Sequence, residues 1–460
     1  MKIYPYYPKP ISNKASIFTR YFKNNRSWLD SLYERSYTMK MGEFKVPLLK
    51  IFLPNEPELI RRIMVSEVEK FPKHSIQHEM LSPVLGASIF TTNGEVWKKQ
   101  RELLNPSFEM VRISHVFDLM NDAAKDMLGR LNKRDSTIYS DMDQEMTFVT
   151  ADIIFRTILS QRLSKEEGKK IVDAFVVFQE TSVKIALQKI FRIPKFLKSK
   201  KVEKDYYESG EIIRNSLATI IQPRYDASIN NQALSEKDIL SSLVKVIDKD
   251  TGKAFSFIEI LDQVAMLFLA GHETTASSMT WTLYLLALYP HYQEEAYQEI
   301  IQHCASNEFT VENTKNLTFL TNVFKESLRL YPPVSFFPRE TVEDTVMRKK
   351  KLKKGSIVVI SPWLMHRNSR FWEDPHMFNP YRFDNLDEIE KYTYFPFGMG
   401  KRTCIGTGFA MQESILLLAS ILRTYTLELE PDFTPDIIGR LTIRSANGMP
   451  IKLIKRLDFT

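Results

Sequence analysis

The spacing of apolar residues along the 460-residue chain predicts a mostly helical protein. The longest periodic segment, Phe257 to Pro290, is apolar nearly all round and therefore predicts a buried helix that crosses the core. A membrane span is the alternative interpretation, but Asp262, His272 and Glu273 inside the segment argue against it. A second helical pattern runs from Leu317 to Pro332, where the proline ends it.

Shorter patterns near both ends of the chain predict small sheets. Residues 1–16 are rich in Pro and Tyr and predict an extended arm, and the pattern from Trp28 to Tyr37 turns helical. Pro57 lies near the first turn of a further predicted helix. The layout is mainly α with small β-sheets, in a single domain over residues 1–460 without internal repeats or a flexible linker. Strand patterns cover residues 45–57, 355–360, 440–445 and 448–456.

The composition is that of an ordinary globular protein, with 43% hydrophobic and 26% charged residues. The 30 Phe and 18 Met suit a chain that lines an apolar cavity, although a simple aromatic core fits the same numbers. A net charge of +7 does not establish nucleic-acid binding. Basic clusters at Lys189–Lys204 and Arg348–Lys354 indicate either solvated surface or a face for an acidic partner or anionic lipid.

The two cysteines, Cys304 and Cys404, provide neither a disulfide framework nor the paired spacing of a zinc site. Free thiols favour a reducing compartment, so we expect a cytoplasmic location. The N-terminus lacks the apolar core of a secretion signal, and no apolar run reaches about 18 residues. We therefore expect a soluble protein without a membrane anchor.

The stretch FGMGKRTCIG, residues 397–406, gathers glycines around Cys404 in a chain that has 15 glycines in all. Gly398 and Gly400 permit backbone angles that other residues avoid, and Gly406 allows another group to approach closely. An apolar helix pattern follows, and its N-terminus would stabilise a thiolate. One thiolate cannot build a zinc or iron–sulfur site, whereas a haem iron needs one proximal protein ligand.

This stretch resembles the haem-binding loop of the cytochrome P450 family, the haem-thiolate monooxygenases. The resemblance implies that the Cys404 thiolate binds the iron of haem b and that Phe397 packs beside the sulfur. It also implies that Arg402 meets a haem propionate. The positions that match the family's fixed residues are Phe397, Gly398, Gly400, Arg402, Cys404 and Gly406.

A second match is AGHETT, residues 270–275, in the middle of the long helix pattern. Glycine inside a helix costs about 1 kcal/mol relative to alanine, and a threonine hydroxyl can bond the carbonyl four residues back. From the residues alone, the motif is either a helix kink or a polar groove beside a ligand. It resembles the family's oxygen-activation motif, which implies that Gly271 gives space, Thr274 supplies the key hydroxyl and Glu273 is the acid. Ala270 is then expected beside the haem.

Further matches concern buried arginines and the haem propionates. In KESLRLYPP, Glu326 and Arg329 share a helix face, and the resemblance implies a structural, buried triad with Arg382. The family usually has Glu before that last arginine, whereas this chain has Tyr381, which puts one flanking contact in doubt. The remaining residues expected at the propionates are Trp97, Arg101 and Arg339, of which the first two would otherwise be read as a surface cation–π pair.

The resemblance covers nearly the whole chain from about Trp28 and implies the cytochrome P450 fold, a prism-shaped single domain with the long helix over the haem. It implies a monooxygenase that uses O2 and two electrons to insert one oxygen atom into an apolar organic substrate. The chain ends too soon after Cys404 for a fused reductase, so we expect a separate ferredoxin, flavodoxin or reductase docking near Lys401 and Arg402. Without the N-terminal anchor of membrane-bound members, the chain resembles the soluble, mostly bacterial ones.

Two alternatives stay open, a peroxygenase driven by hydrogen peroxide and a non-enzymatic haem sensor. Glu273 and Thr274 argue against both, because the family's peroxygenases replace this pair and a sensor needs no proton relay. The pocket segments expected by family position, residues 88–90, 334–337 and 441–443, are apolar, so fatty acids, terpenoids and steroids all fit. We expect no nucleic-acid partner and at most peripheral membrane contact.

Overall fold

The computed structural model describes residues 3–456 except 15–26, 47–48, 164, 191–193, 195, 197, 235, 237, 250, 305–307 and 440. The described chain is mainly helical with small sheets, which confirms the predicted fold class. It divides into two compact units. One comprises Met1–Phe71, Asn121–Val149 and Thr274–Thr460, and the other Pro72–Met120 and Thr150–Glu273.

The α-helices of the described residues are numbered in chain order. They are α1 (Pro57–Arg61), α2 (Ser75–Leu85), α3 (Gly94–Leu104), α4 (Met110–His115), α5 (Phe117–Leu131), α6 (Met142–Leu159), α7 (Lys165–Ile190), α8 (Lys200–Ile229), α9 (Ile239–Leu243), α10 (Phe257–Leu288), α11 (Pro290–His303), α12 (Val311–Lys315), α13 (Thr318–Leu330), α14 (Pro362–Met365) and α15 (Thr407–Thr424). Within the part of the chain that the structure describes, no helix has the length and apolar character needed to cross a membrane.

The strands found among the described residues form four small sheets in the first unit. They are β1 (Met41–Val46), β2 (Leu49–Pro54), β3 (Ser140–Asp141), β4 (Phe337–Glu340), β5 (Thr345–Met347), β6 (Lys350–Leu352), β7 (Ile357–Ile360), β8 (Tyr425–Leu429), β9 (Ile437–Gly439), β10 (Ile443–Ser445) and β11 (Pro450–Lys455). The largest sheet has the order β1-β2-β7-β4, and the next has the order β3-β11-β8. Both sheets join strands that are far apart in the sequence, as the patterns at the two ends of the chain predict.

Two sequence predictions need correction near the N-terminus. The pattern over residues 45–57 does not form one strand, because β1 and β2 pair as an antiparallel hairpin with Val46 opposite Leu49. The helical pattern from Trp28 to Tyr37 forms two short 3-10 helices, Trp28–Ser31 and Glu34–Tyr37. The predicted arm forms no helix over residues 3–14, where it has an isolated bridge between Ile11 and Tyr33 and a turn at residues 13–14. Residues 1, 2, 15 and 16 of the predicted arm lie outside the described residues.

The four-stranded sheet carries the apolar core on which the cysteine-bearing loop rests. Phe52 of β2 and Val358 of β7 are buried in this core together with Ile63 and Met64. Hydrophobic burial of this kind contributes about 25 cal/mol per Å² of apolar surface, which makes the core a firm support. Met64 lies in a π-helical turn over Arg62–Ser66, and its backbone carbonyl faces Gly400 of the cysteine-bearing loop.

In the second unit, α7 packs along α8, and α2 packs against both. Tyr206 of α8 stacks on Phe178 of α7 with ring centroids 5.4 Å apart, and its hydroxyl donates to the Glu79 carbonyl of α2 at 2.9 Å. Gly210 of α8 lets α2 approach closely, because a Cβ there would lie 3.0 Å from the Pro83 carbonyl oxygen. These contacts hold α2 at the start of the segment that leads to α3.

Candidate active site

The cysteine loop, residues 397–406, is a tight turn whose shape depends on glycine. Gly398 and Gly400 have φ angles of +69° and +66°, which cost other residues about 1–2 kcal/mol. A Cβ on Gly400 would lie 2.4 Å from the Met64 carbonyl oxygen, so the loop rests directly on neighbouring backbone. The Cys404 N–H donates to the Phe397 carbonyl at 2.8 Å and closes the turn. The loop therefore holds an exposed thiol on a rigid backbone.

Helix α15 begins directly behind this thiol. Gly406 precedes the first helical residue, and the Thr407 hydroxyl donates to the Cys404 carbonyl at 2.9 Å. A Cβ on Gly406 would lie 4.0 Å from Cys404 Sγ, which is an ordinary contact. Because the N-terminal end of a helix carries partial positive charge, it favours negative charge on the sulfur.

Two arginines turn inward in the same unit. Arg339 of β4 is buried, and burial together with the nearby charge of Arg402 lowers the pKa of its guanidinium to about 9. Arg402 donates to the Phe71 carbonyl at 3.2 Å, and burial lowers its pKa as well. Among the described residues no carboxylate lies within ion-pair distance of Arg339. Buried charges are normally paired, so the buried Arg339, with the half-buried Arg402 nearby, fits a ligand that carries carboxylates.

The AGHETT segment lies in the middle of α10, which runs unbroken from Phe257 to Leu288. The helix is therefore neither opened nor interrupted at Gly271. Between residues 260 and 287 every side chain is buried except those of Ala270, Gly271 and Thr274. Thr274 follows Gly271 by three residues and Ala270 by four, spacings that place these three on one face of a helix. They form the accessible face of an otherwise buried helix.

Packing within the second unit explains why the motif has Gly271 and His272 at their positions. A Cβ on Gly271 would lie 2.6 Å from Cδ1 of Ile154, so this glycine admits α6 to close contact. The His272 ring contacts the Phe268 carbonyl through Nδ1 at 2.8 Å, and its own carbonyl accepts from the Thr150 hydroxyl at 3.1 Å. Glu273 is buried. The role predicted for Gly271 beside a ligand stays a prediction.

Trp97 and Arg101 lie one turn apart on α3, as their spacing predicts. Trp97 is buried, and the Lys73 ammonium lies 5.9 Å from the centre of its ring. Arg101 donates from Nε to the Asn105 side-chain oxygen at 2.7 Å. Trp97 is thus a core residue, and its cationic neighbour across the ring is Lys73.

The comparison with known families agrees with this arrangement, since a model described as Cytochrome P450 matches residues 8–452. The chain belongs to the cytochrome P450 family. A similar protein is a cytokinin hydroxylase of Arabidopsis thaliana, 30% identical over 406 residues that span 88% of this chain and 78% of the relative. Cytochrome P450 4V2 of Rattus norvegicus is 28% identical over 430 residues, or 89% and 81% of the two chains. An ultra-long-chain fatty acid omega-hydroxylase of Homo sapiens is 27% identical over 432 residues, or 88% and 80%.

As a cytochrome P450 the protein is a haem-dependent monooxygenase whose iron is ligated by a cysteine thiolate. The residues present fit such a group. An exposed thiol lies on a rigid glycine loop, and the buried Arg339 has a charge that the carboxylates of haem would neutralise. The relatives named above are plant and mammalian proteins, so the likeness to soluble bacterial members stays a prediction.

The buried triad of this P450 has the predicted arrangement. Arg329 donates to both carboxylate oxygens of Glu326, at 2.6 and 2.8 Å, and both side chains are fully buried. Arg382 approaches the same carboxylate at 3.3 Å. Tyr381, which replaces the usual acid, points to the surface, where its hydroxyl donates to Glu295 at 2.6 Å. The substitution therefore leaves the triad intact and exchanges only a flanking contact.

Sequence reasoning missed Glu413 on α15. Its side chain is fully buried, and within the described chain neither carboxylate oxygen accepts a hydrogen bond. Burial raises the pKa of this carboxyl well above its usual range, and the nearby Thr275 hydroxyl opposes the shift only in part. The available signal was a single acid inside the apolar run FAMQESILLL.

Proposed function

We propose that this P450 hydroxylates apolar carbon atoms of a long-chain organic substrate and that the Cys404 thiolate is its iron ligand. The observation that carries this assignment is the exposed thiol on the tight glycine turn, in the same unit as two inward arginines. Cys304 is a poor rival, because it is buried and burial raises the pKa of its thiol.

Haem would supply the iron at which O2 binds and is activated. The buried Arg339 and the half-buried Arg402 would bind its carboxylates, since guanidinium groups shielded from water favour anionic partners. By family position Trp97 and Arg101 would also bind the haem carboxylates. Phe397 and Gly406 would lie beside the sulfur. Ala270 belongs to the accessible face of α10 and would border the oxygen side.

Proton delivery is proposed for Thr274 and Glu273. Thr274 lies on the accessible face of α10, whereas Glu273 is buried beside it in the sequence. A proton donor must come within hydrogen-bond reach of the oxygen that it serves, which the position of Thr274 allows. Retention of this pair favours a monooxygenase over a peroxide-driven enzyme or a sensor.

The Thr274→Ala variant tests this step. We expect normal haem ligation and substrate binding but less product per reducing equivalent, with the difference released as hydrogen peroxide. Thr282→Ala is the matched control, because that buried hydroxyl on the same helix donates to the Ser278 carbonyl at 2.7 Å. An unchanged product ratio in Thr274→Ala would show that protons reach the oxygen by another route.

The proposed substrate is an amphiphile with a long apolar chain. The support is the name of one relative, an ultra-long-chain fatty acid omega-hydroxylase, together with the apolar pocket segments expected at residues 88–90, 334–337 and 441–443. A terpenoid or steroid is the alternative, and a screen of binding spectra over the three classes separates them. A substrate class that binds without being oxidised would contradict the proposal.

Electrons are proposed to come from a separate acidic redox protein that docks beside the cysteine loop. Lys401 supports this, because its side chain is 71% exposed and pairs loosely with Glu69 at 3.8 Å. Arg402 is turned inward and contributes less to that surface. A cytoplasmic location is also proposed, since neither cysteine forms a disulfide.

The deciding experiment for the iron ligand compares Cys404→Ala with Cys304→Ala. The reduced, CO-bound parent and the Cys304→Ala variant should both show the strongly red-shifted Soret band of thiolate ligation. Cys404→Ala should lose that band. If Cys404→Ala kept it, or if only peroxide and never O2 with electrons supported turnover, the proposed function would be wrong.

A further inference from the structure

A cleft in the first unit is lined by cations. It lies between the bend before β1 and the turn that joins β5 to β6, and it has a volume of about 660 Å³. Clefts of roughly 300–1,000 Å³ are typical of small-molecule sites, and positive charges around a concave surface attract anions. The cleft therefore has the size and the charge of an anion-binding site. Its lining residues are Lys40, Met41, Arg348, Lys349 and Lys350.

One carboxylate serves several of the cations at this cleft. Glu56 pairs with Arg348 and lies 3.8 Å from the Lys40 ammonium. The same carboxylate lies 3.6 Å from the guanidinium of Arg370, which adds a third cation. A single negative charge neutralises only one of these three, so the group around Glu56 keeps an excess of positive charge.

The turn between β5 and β6 adds further positive charge. Lys350 pairs with Glu43 at 2.9 Å and is neutralised. Lys349 is exposed, and no carboxylate of the described residues lies within ion-pair distance of its ammonium group. Five cations at and beside the cleft are thus matched by two carboxylates.

Arg348 has a backbone conformation that arginine rarely adopts. Its φ angle is +52°, which is unfavourable for a residue with a side chain. Met347 pairs with Lys350 at the end of the β5–β6 hairpin. The loop between them consists of Arg348 and Lys349, whereas two-residue loops favour Asn and Gly, which tolerate a positive φ. The chain has two cations at this turn although they lower local stability, and such strain is typical of functional positions.

Both walls of the cleft are held by the fold. Arg62 donates to the Val346 carbonyl at 2.7 Å and to the Thr345 hydroxyl at 3.0 Å, which fixes the hairpin. The charge of Arg62 itself is neutralised by Glu67 at 2.7 Å. On the β1 side, Met41 packs against the core of the four-stranded sheet. The cleft is therefore preformed, which limits the entropy lost when a ligand binds.

We propose that this cleft binds a small soluble molecule that carries phosphate groups. Arginine binds phosphate through its planar fork and lysine through a point charge, and the cleft offers both. A diphosphate carries several negative charges and so matches the excess of cations better than a carboxylate does. Lipid head groups are another source of phosphate, but a concave cleft favours a free ligand over a flat bilayer. The inference does not depend on the proposed function.

The test measures the binding of inorganic pyrophosphate to the haem-loaded enzyme by isothermal titration calorimetry. The parent should bind pyrophosphate with a sub-millimolar dissociation constant at low salt. It should bind acetate at least roughly 10-fold more weakly at equal ionic strength, because acetate meets fewer of the charges. Added salt should weaken pyrophosphate binding, since the cations are partly exposed and therefore screened.

Lys349→Gln removes a cation of the cleft without breaking an ion pair among the described residues. It should weaken pyrophosphate binding roughly 3- to 10-fold. Lys351→Gln is the matched control, because this exposed lysine belongs to the same hairpin but does not line the cleft. Successive side chains of a strand point to opposite faces, so Lys351 projects away from the face of Lys350. Both variants have the same net charge, which makes diffuse attraction equal.

Arg348→Asn separates binding from stability. Asparagine tolerates a positive φ better than arginine does, so the variant without ligand should unfold at the same temperature as the parent or higher. The lost pair with Glu56 contributes little, because the Arg348 side chain is 41% exposed. Pyrophosphate should raise the unfolding temperature of this variant less than that of the parent. A variant that unfolds well below the parent without ligand would make Arg348 a structural residue and overturn the argument from strain.

The inference would be wrong if pyrophosphate did not bind, if it bound no better than acetate, or if Lys351→Gln lost as much affinity as Lys349→Gln. Tight binding to vesicles of phosphatidylcholine with phosphatidic acid, lost in Lys349→Gln, would also overturn it, because the phosphate would then belong to a membrane. None of these outcomes affects the proposed function, since the thiolate band and turnover are measured without pyrophosphate. Loss of the thiolate band in the parent would refute the proposed function and leave the cleft unaffected.

Discussion

The Gly400→Ala substitution probes how the fold holds the cysteine loop. Alanine at φ +66° costs about 1–2 kcal/mol. Its Cβ would also lie 2.4 Å from the Met64 carbonyl oxygen, so loop or carbonyl must move until the contact reaches about 3.0 Å. Overpacking of this kind costs about 1–3 kcal/mol more. We expect a total of about 2–5 kcal/mol, concentrated on the loop that carries Cys404.

Gly398→Ala provides the matched control within the same loop. Its φ of +69° brings a similar backbone cost, but its nearest neighbour would be Cε of Met64 at 3.7 Å, an ordinary contact. The assay follows the thiolate Soret band of the reduced, CO-bound enzyme during heating. Gly400→Ala should lose the band at a clearly lower temperature than Gly398→Ala, and both below the parent. Equal losses in the two variants would refute the argument from the Met64 contact.

Three other predictions concern charge. Arg329→Leu removes the closer partner of the buried Glu326 carboxylate and leaves it only Arg382 at 3.3 Å and the Asn379 N–H, so we expect a loss of about 3–5 kcal/mol in unfolding free energy. Arg61→Leu, in an exposed pair of the same spacing, should change nothing measurable. The pKa of the Glu413 carboxyl is raised in the folded protein, so above pH of about 4.3 this carboxyl releases a proton when the parent unfolds. The contribution of Glu413 to the free energy of unfolding therefore falls as pH rises. Glu413→Gln should flatten this dependence in thermal melts. Three of the six cations of residues 348–354 already pair with acids, namely Arg348, Lys350 and Lys353. Binding to anionic vesicles should therefore stay weak at low salt, and strong salt-sensitive binding in sedimentation would contradict this.

The long periodic segments were predictable because helical burial leaves a strong sequence pattern. The predicted helix from Phe257 to Pro290 is observed as Phe257–Leu288, and the second as Thr318–Leu330. The β1–β2 hairpin was missed because an alternating pattern is the same for one long strand and for two paired ones. Residues 47–48 of the sequence contain neither Gly nor Asn, so the usual hairpin signal is absent.

The motif residues of the site were predictable, but their surroundings were not. Cys404 is identified by its glycine-rich loop, whereas nothing in the sequence places Met64 beneath that loop. Gln263 follows Asp262, and Glu413 lies between Gln412 and Ser414, in helices that are otherwise apolar at these points. Such buried polar residues are usually satisfied by neighbours. Only the packing shows that the free ends of these two side chains are not.

The contrast between two buried arginines of one unit separates structure from function. Arg329 is satisfied in full, with Glu326 as counterion and the carbonyls of His366, Pro375 and Met377 accepting its other protons. Arg339 is equally buried, but among the described residues its guanidinium donates only to the Pro338 carbonyl, at 3.0 Å. Burial of a charge therefore does not mark a ligand site in itself, because the fold can supply the counterion. A missing counterion does not mark the site by itself either, because Arg367 is also buried without a carboxylate partner among the described residues and lies 3.6 Å from the centre of the Trp363 ring. What distinguishes Arg339 is that it lies close enough to Arg402 of the cysteine loop for the two charges to interact.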